Sequence, residues 1–247
     1  MIKALVRNAL QKRGYVHLRS KDRYHDLGDD FVSAYNEVKA DTYTSVERMQ
    51  PLWESVRHVV RRGIPGAIVE CGVWRGGSAV LCARALQGEG VTDRDLYLYD
   101  TYEGMVEPTD KDVNHKGETA HSKWERDQAD DHNEWCYAAL DVVRANMART
   151  GYPAERIHYV EGKVEDTIPG VAPEQVALLR LDTDLYESTL HELQHLWPRL
   201  SPGGILIIDD YGHWEGSREA TDEYFADRDD APLLVRVDYA GRVAIKA

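Results

Sequence analysis

The stretch AIVECGVWRGGSAVLCARALQG, residues 67–88, contains the turn that decides the fold. Residues 67–73 form an apolar run of strand length, and residues 76–88 have the pattern of a helix. Glycines stand between them at Gly72, Gly76 and Gly77. Glycine lets the backbone approach a ligand closely, and the free N–H groups at the start of a helix can bind one. The stretch therefore predicts a strand, a ligand-binding turn and a helix, although a purely structural turn fits the same pattern.

The acidic residue before the first glycine narrows the class of ligand. Dinucleotide-binding turns follow the pattern GxGxxG and hold a pyrophosphate. Glu70 would repel a pyrophosphate, whereas it suits a cationic or amine-bearing ligand. The turn thus favours a positively charged cofactor.

Strands and helices alternate along most of the chain on either side of this turn. The predicted strands of this alternation are residues 67–73, 95–102, 156–162, 176–184 and 204–212. The predicted helices are residues 45–63, 76–88, 134–151, 187–200 and 217–228. Residues 233–239 and 242–247 read as a closing hairpin, so the last strand should run antiparallel. The alternation predicts an α/β fold, with a mostly parallel sheet covered on both faces and ligands at the carboxyl ends of its strands.

Composition excludes several classes of protein. The 247 residues carry 43 acidic and 30 basic side chains, a net charge of −13, which argues against nucleic-acid binding because that needs a basic face. The three cysteines are far apart and suggest neither a zinc site nor a disulfide framework, so we expect a cytoplasmic protein with reduced thiols. No apolar stretch has transmembrane length, so stable membrane insertion is not expected. The basic segment 1–15 reads as a helix that packs on the domain or on a second subunit, and binding at a membrane surface is the alternative.

Acidic residues follow the second and third predicted strands. Asp100 ends the second strand, where a carboxylate can accept hydrogen bonds from ribose hydroxyls, although a lone aspartate also serves as a helix cap or turn residue. Glu165 and Asp166 follow the third strand and can reach an adenine edge, and Asp166 can equally cap a short turn.

Two acidic pairs follow the fourth and fifth strands. Asp182 and Asp184 are two residues apart, and Asp209 and Asp210 are adjacent. Carboxylates that converge raise one another's pKa, and Mg²⁺ relieves this because it prefers carboxylate oxygens and water. The alternative is that Arg180 and other basic side chains neutralise them as structural ion pairs. A glycine-rich turn, a ribose acid and a metal site together predict S-adenosylmethionine with magnesium.

Three segments resemble the macrocin O-methyltransferase family: VECGVWRGGSAVL (69–81), LLRLDTDLYEST (178–189) and PRLSPGGILIIDDYG (198–212). The resemblance spans roughly residues 42–225. It implies a Rossmann-like class I methyltransferase with a seven-stranded sheet, a mobile lid and a homo-oligomer. It also implies transfer of a methyl group from S-adenosylmethionine to a sugar hydroxyl of a small-molecule or oligosaccharide acceptor, with Mg²⁺.

The resemblance assigns roles to individual residues. The metal ligands fall on Asp182, Asp209 and Asp210, so Asp182 is also a catalytic candidate, and Asp184 matches a proposed general base. The residues expected along the cofactor are Glu70, Gly72, Ser78 and Asp100, to which Glu165 is added from its position after the third strand. We divide the chain into an N-terminal helical region or lid (1–63) and a methyltransferase domain (64–247) with a substrate-loop insertion at about 103–133.

The polar stretch after Asp100 departs from the family's pattern and leaves the acceptor open. Trp124 and Trp135 can stack on a sugar face, and His115, His121 and His132 can act as bases or simply be solvated. Tyr211 and His213 follow the second acidic pair and can line the acceptor pocket, although His213 also reads as an exposed turn residue. The alternatives are a cation-dependent O-methyltransferase of a catechol or phenol, and a non-catalytic cofactor-binding protein on the same fold.

Overall fold

The computed structural model describes residues 24–247 and contains one seven-stranded sheet within them. The strands are β1 (Ala67–Cys71), β2 (Leu96–Asp100), β3 (Ile157–Glu161), β4 (Val176–Leu181), β5 (Leu200–Ile208), β6 (Val235–Arg236) and β7 (Arg242–Ile245). Their order across the sheet is β3-β2-β1-β4-β5-β7-β6. β1 to β5 pair in parallel, and β7 runs antiparallel to both of its neighbours. The predicted parallel sheet with an antiparallel last strand is therefore confirmed.

Helices cover both faces of the sheet. They are α1 (Asp29–Val38), α2 (Val46–Arg61), α3 (Gly77–Gly88), α4 (Ala120–Arg126), α5 (Leu140–Ala148), α6 (Val164–Thr167), α7 (Tyr186–Leu196) and α8 (Glu215–Phe225). Successive strand residues point to opposite faces. Ile68 and Leu178 thus join the core beneath α1, α2 and α3, whereas Val69 and Leu179 join the core beneath α7 and α8. This double burial explains the nearly continuous apolar character of β1 and β4.

Some predicted boundaries were wrong. The helix predicted for 134–151 begins only at Leu140, because Trp135 is buried among insertion residues and Cys136 has a φ of 56°. The predicted strand 233–239 is reduced to Val235–Arg236. The helix predicted for 45–63 is confirmed as α2, and Ser45 caps it by accepting a hydrogen bond from the Arg48 amide. The basic segment 1–15 lies outside the described residues. Among residues 24–247, no helix is long and apolar enough to cross a membrane.

Candidate active site

A cavity of about 580 Å³ lies at the carboxyl ends of β1, β2, β4 and β5. Gly72, Asp100, Asp182 and Asp209 all line it, and each stands at or directly after the end of a different strand. The cavity therefore occupies the edge of the sheet at which a parallel α/β fold binds its ligands.

The glycine-rich turn packs tightly against the turn after β4. Gly72 has a φ of 83°, and a Cβ atom at this position would lie 2.1 Å from the carbonyl oxygen of Asp182. Gly76 also has a φ of 83° and precedes α3, whose second residue, Ser78, is buried and lines the cavity. Glycine at position 72 is thus needed to bring the glycine-rich turn next to the turn after β4.

Asp100 holds the glycine-rich turn in place. Its Oδ2 accepts hydrogen bonds from the amides of Val73 at 2.7 Å and Trp74 at 2.9 Å, and its Oδ1 accepts one from the Tyr102 amide at 2.8 Å. Burial raises the pKa of Asp100, and these hydrogen bonds oppose that rise. Asp100 lines the cavity, so its contact with a ribose stays a prediction. The hydrogen bonds by which Asp100 holds the glycine-rich turn were not predicted from the sequence.

Glu70, which was predicted to lie along the cofactor, is paired with a buried arginine. Within residues 24–247 it is absent from the cavity lining, and its Oε1 accepts a hydrogen bond from Arg180 Nη1 at 2.6 Å. Burial raises the pKa of Glu70 to about 7, although the Arg180 guanidinium opposes this. The acid before the first glycine thus pairs with an internal arginine.

Arg180 is a buried cation that joins three carboxylates. It is 2% exposed, and its guanidinium lies 2.7 Å from Asp182 Oδ2 and 2.8 Å from Asp209 Oδ1, in addition to Glu70. It also donates to Thr44 Oγ1 at 2.8 Å. The structural ion pairs considered as an alternative for the acidic residues therefore do form. They engage one oxygen of Asp182 and one of Asp209.

Arg48 takes the other oxygen of Asp209. This arginine of α2 contacts Asp209 Oδ2, and its Nε lies 3.2 Å from Asp238 Oδ2. Both carboxylate oxygens of Asp209 are thus paired with arginines. Sequence reasoning missed Arg48, because the contact joins residues 161 positions apart and no local pattern marks it.

Asp182, Asp184 and Asp210 converge in the cavity. Each offers a carboxylate oxygen, and these three oxygens lie within 4.8 Å of one another. Burial raises the pKa of Asp184 to about 7, and burial with mutual repulsion raises the pKa values of Asp182 and Asp210 well above their usual range. Among the described residues, Asp210 Oδ2 has no hydrogen-bond partner. Of the predicted metal ligands, the structure brings Asp182 and Asp210 together, and Asp184 is the third member of their group.

The rim of the cavity includes residues from three other segments. Glu165 of α6 lines it, and Asp166 is exposed and absent from the lining within the described chain. Residues 41–44, which precede α2, also line it, and the Tyr43 ring stacks on Trp74 with centroids 3.9 Å apart. Asp41 fixes this segment through ion pairs with Arg75 and Arg149, each 3.0 Å long. Sequence reasoning missed residues 41–44, because no motif in this segment marks them.

A small apolar cluster beside the cavity joins Ala120 and Trp135, from the stretch after β2, to Leu185 and Trp214. Trp135 is buried and packs on Trp214 with centroids 5.7 Å apart, and the Lys123 ammonium lies 4.1 Å from the Trp135 ring centroid. Trp135 and Lys123 line the cavity, whereas Trp124 donates its Nε1 hydrogen to the carbonyl of Met105 at 2.9 Å. Of Trp124 and Trp135, it is therefore Trp135 that lines the cavity and can contact a ligand there.

The histidines separate into two groups. In the described part of the chain, the predicted loop histidines are all absent from the cavity lining: His115, His121 and His132. His213 does line the cavity, its Nδ1 lies 3.1 Å from the Tyr239 hydroxyl, and burial lowers its pKa, which favours the neutral ring. Tyr211, predicted beside it, is missing from the same lining and donates its hydroxyl to Asp222 at 2.7 Å.

Comparison with known proteins gives this geometry a context. A family model described as Macrocin-O-methyltransferase (TylF) matches residues 4–244. The 8-demethyl-8-(2,3-dimethoxy-alpha-L-rhamnosyl)-tetracenomycin-C 4'-O-methyltransferase of Streptomyces olivaceus is 37% identical over 198 residues, which are 80% of this chain and 70% of the relative. Mycinamicin III 3''-O-methyltransferase of Micromonospora griseorubida is 33% identical over 216 residues, 87% of this chain and 80% of the relative.

Solved structures agree with these relatives. The O-methyltransferase NovP has a TM-score of 0.74 and 30% identity, and the likeness covers 84% of this chain and 82% of NovP. The calicheamicin methyltransferase CalS11 shares the fold, with a TM-score of 0.60, 19% identity, and coverage of 94% of this chain and 95% of CalS11. The predicted Rossmann-like methyltransferase fold is confirmed.

Proposed function

Because this chain belongs to the macrocin O-methyltransferase family, and is therefore an O-methyltransferase, we propose that it methylates a sugar hydroxyl with S-adenosylmethionine and Mg²⁺. The choice of a sugar as the acceptor rests on the similarity to the Streptomyces olivaceus enzyme. The name of that enzyme specifies a rhamnosyl group, and the match covers 80% of this chain. The acidic lining of the cavity supports a positively charged methyl donor and a divalent cation.

Four lining residues are our candidates for holding the methyl donor: Gly72, Ser78, Asp100 and Glu165. The donor would supply an electrophilic methyl group on a positively charged sulfur. A cavity of about 580 Å³ suits a ligand of nucleoside size, and Gly72 lines it. Glu70 was also expected along the cofactor, but within residues 24–247 it does not line the cavity and its carboxylate is held by Arg180, so it is not among these four.

Asp182, Asp209 and Asp210 are the proposed ligands of Mg²⁺. The unpaired Oδ2 of Asp210 and the raised pKa values of Asp182 and Asp210 fit a site that a cation would stabilise. Asp209 completes the set once Arg48 releases its Oδ2. When bound there, Mg²⁺ would lower the pKa of an acceptor hydroxyl and orient it.

Asp184 is the proposed general base. It lies in the same cluster as Asp182 and Asp210, and the pKa of its carboxyl group, raised by burial to about 7, suits proton transfer near neutral pH. Trp135 and the neutral His213 would bound the acceptor on the other side of the cavity. In this assignment Asp184 would take the hydroxyl proton while the acceptor oxygen attacks the methyl group. The bond between the methyl group and the donor's sulfur would break, and the sulfur would leave with the electron pair as the neutral thioether S-adenosylhomocysteine.

Removing divalent cations tests the metal assignment. We expect excess chelator to reduce methyl transfer to a rhamnosyl glycoside about a thousandfold, since a metal contributes several kcal/mol at the reacting oxygen. Added Mg²⁺ should restore the rate. Transfer of a labelled methyl group to the acceptor measures this, and full turnover in excess chelator would contradict the metal site.

The same assay separates the two acceptor classes. A catechol presented at equal concentration should be methylated far more slowly than the glycoside, because Lys123 and His213 give the acceptor side of the cavity polar as well as aromatic groups. A faster reaction with the catechol would replace the sugar proposal with the phenol alternative.

A further inference from the structure

The turn that carries Asp182 and Asp184 has a strained backbone. Asp184 has a φ of 69°, a left-handed conformation that is uncommon for any residue other than glycine. Such a conformation persists only where the surrounding structure enforces it. Two contacts fix the ends of the turn. The Asp182 amide donates to the Cys71 carbonyl at 2.8 Å, and the Tyr186 amide donates to Asp112 Oδ1 at 2.7 Å.

A fully buried carboxyl group holds the middle of the turn. The hydroxyl of Thr183, which stands between the two aspartates, donates to Glu192 Oε1 at 3.0 Å. Glu192 lies on α7 and is 0% exposed, and among residues 24–247 its Oε2 has no hydrogen-bond partner. Burial raises the pKa of Glu192 well above its usual range, and the hydrogen bond from Thr183 opposes that rise.

The surroundings of Glu192 favour an apolar residue. The next residue, Leu193, and Leu196 are fully buried in the core beneath α7, and the buried Cys71 thiol is close enough to influence the pKa of Glu192. A polar group placed there costs free energy unless it is hydrogen-bonded. Within the described residues, the Thr183 hydroxyl donates to Glu192 Oε1, and the Cys71 thiol is the other polar group beside this carboxyl group. Packing alone therefore does not account for a carboxyl group at position 192.

We propose that Glu192 is a positioning residue, which acts through the Thr183 hydroxyl to fix the turn presenting Asp182 and Asp184 to the acceptor. The inference rests on the proposed function, because it concerns how the proposed metal ligand and general base are placed. Glu192 does not line the cavity within the described chain, so it acts on the reaction only through the turn.

The test removes each partner of the hydrogen bond in turn. Thr183→Val keeps the shape of the side chain and deletes the hydroxyl, and Glu192→Leu deletes the acceptor. We expect each to lower kcat about tenfold to a hundredfold, with the KM for S-adenosylmethionine nearly unchanged. The double variant should be no slower than the slower single variant, because both changes remove one interaction. Glu192→Gln keeps an oxygen for Thr183 and should restore most of the rate.

Thr221→Val is the matched control for stability. Thr221 is 0% exposed, whereas Thr183 is half-buried, and the Thr221 hydroxyl donates to the Ser217 carbonyl at 2.7 Å within α8, away from the turn. It should lower the Tm about as much as Thr183→Val while leaving kcat unchanged. If Thr183→Val also left kcat unchanged, or if Glu192→Gln were as slow as Glu192→Leu, the inference would be overturned.

A second readout does not depend on turnover. We expect Thr183→Val to weaken binding of Mn²⁺ to the protein about tenfold, measured by the electron paramagnetic resonance of free Mn²⁺, because Asp182 lies on the same turn. Unchanged Mn²⁺ affinity together with unchanged kcat would overturn the inference. An inactive wild-type enzyme, or one that binds no Mn²⁺, would instead count against the proposed function, and the remaining arm would still decide the role of Glu192.

Discussion

Asp184→Asn is expected to reduce methyl transfer about a thousandfold, the middle of the range that a positioned general base contributes. The reason is chemical, because an amide cannot take the proton of the acceptor hydroxyl. Asparagine tolerates left-handed backbone better than most residues, so the φ of 69° at this position should survive the substitution. The change also leaves the glycine-rich turn untouched, so binding of S-adenosylmethionine should persist. Single-turnover methyl transfer and calorimetric titration with the donor measure the two quantities.

Asp166→Asn is the matched control for this variant. Asp166 follows β3 near the rim but is exposed, and it is absent from the cavity lining of the described chain. Asp166→Asn removes one carboxylate charge, as Asp184→Asn does, but its turnover should stay close to that of the wild-type enzyme. If Asp184→Asn kept more than about a tenth of the wild-type rate, its general-base role would be excluded, since such a base is worth at least about a hundredfold.

Local patterns predicted the fold because the forces that set it are local and repetitive. Apolar runs such as β1 and β4 are buried on both faces, and Ser45 and Gly63 mark the two ends of the helical pattern of α2. The prediction failed where a tertiary contact overrode a pattern. Trp135 and Cys136 belong to the stretch 134–151 that was predicted as a helix, yet Trp135 is buried against Trp214 and the helix begins only at Leu140.

The sequence predicted which acidic residues lie at the site, but it did not predict which arginine pairs with which carboxylate. Strand ends in a parallel sheet must share one edge, so the convergence of Asp182 and Asp210 followed from order alone. Which carboxylate each arginine neutralises depends on side chains from distant segments. Arg48 reaches Asp209 from α2, and Arg180 turns inward to Glu70, so the acid predicted to face the cofactor faces an internal cation. No sequence spacing encodes either choice.

Gly72→Ala is expected to lower the free energy of unfolding by about 2–5 kcal/mol, the sum of left-handed strain of about 1–2 and overpacking of about 1–3. Gly72 has a φ of 83°, and a Cβ there would lie 2.1 Å from the Asp182 carbonyl oxygen and 2.6 Å from its carbonyl carbon. Backbone atoms cannot rotate away as a flexible side chain can. The turn after β4 must therefore shift, and Asp182 shifts with it. Urea unfolding measures the stability, and titrations with S-adenosylmethionine and Mn²⁺ measure the site.

Two other glycines separate the causes of that loss. Gly63 has a φ of 62° and nothing within 4 Å of an added Cβ, so Gly63→Ala should cost only the strain of about 1–2 kcal/mol. Gly88, the last residue of α3, has equally open space around an added Cβ and no positive φ, so Gly88→Ala should be neutral or stabilising by up to about 1 kcal/mol. If Gly72→Ala lost no more stability than Gly63→Ala and still bound both ligands, the contact between the two turns would not be what fixes Asp182. If Gly72→Ala lost more stability than Gly63→Ala and bound neither S-adenosylmethionine nor Mn²⁺, the glycine at position 72 would be what holds the glycine-rich turn and the turn after β4 in one arrangement.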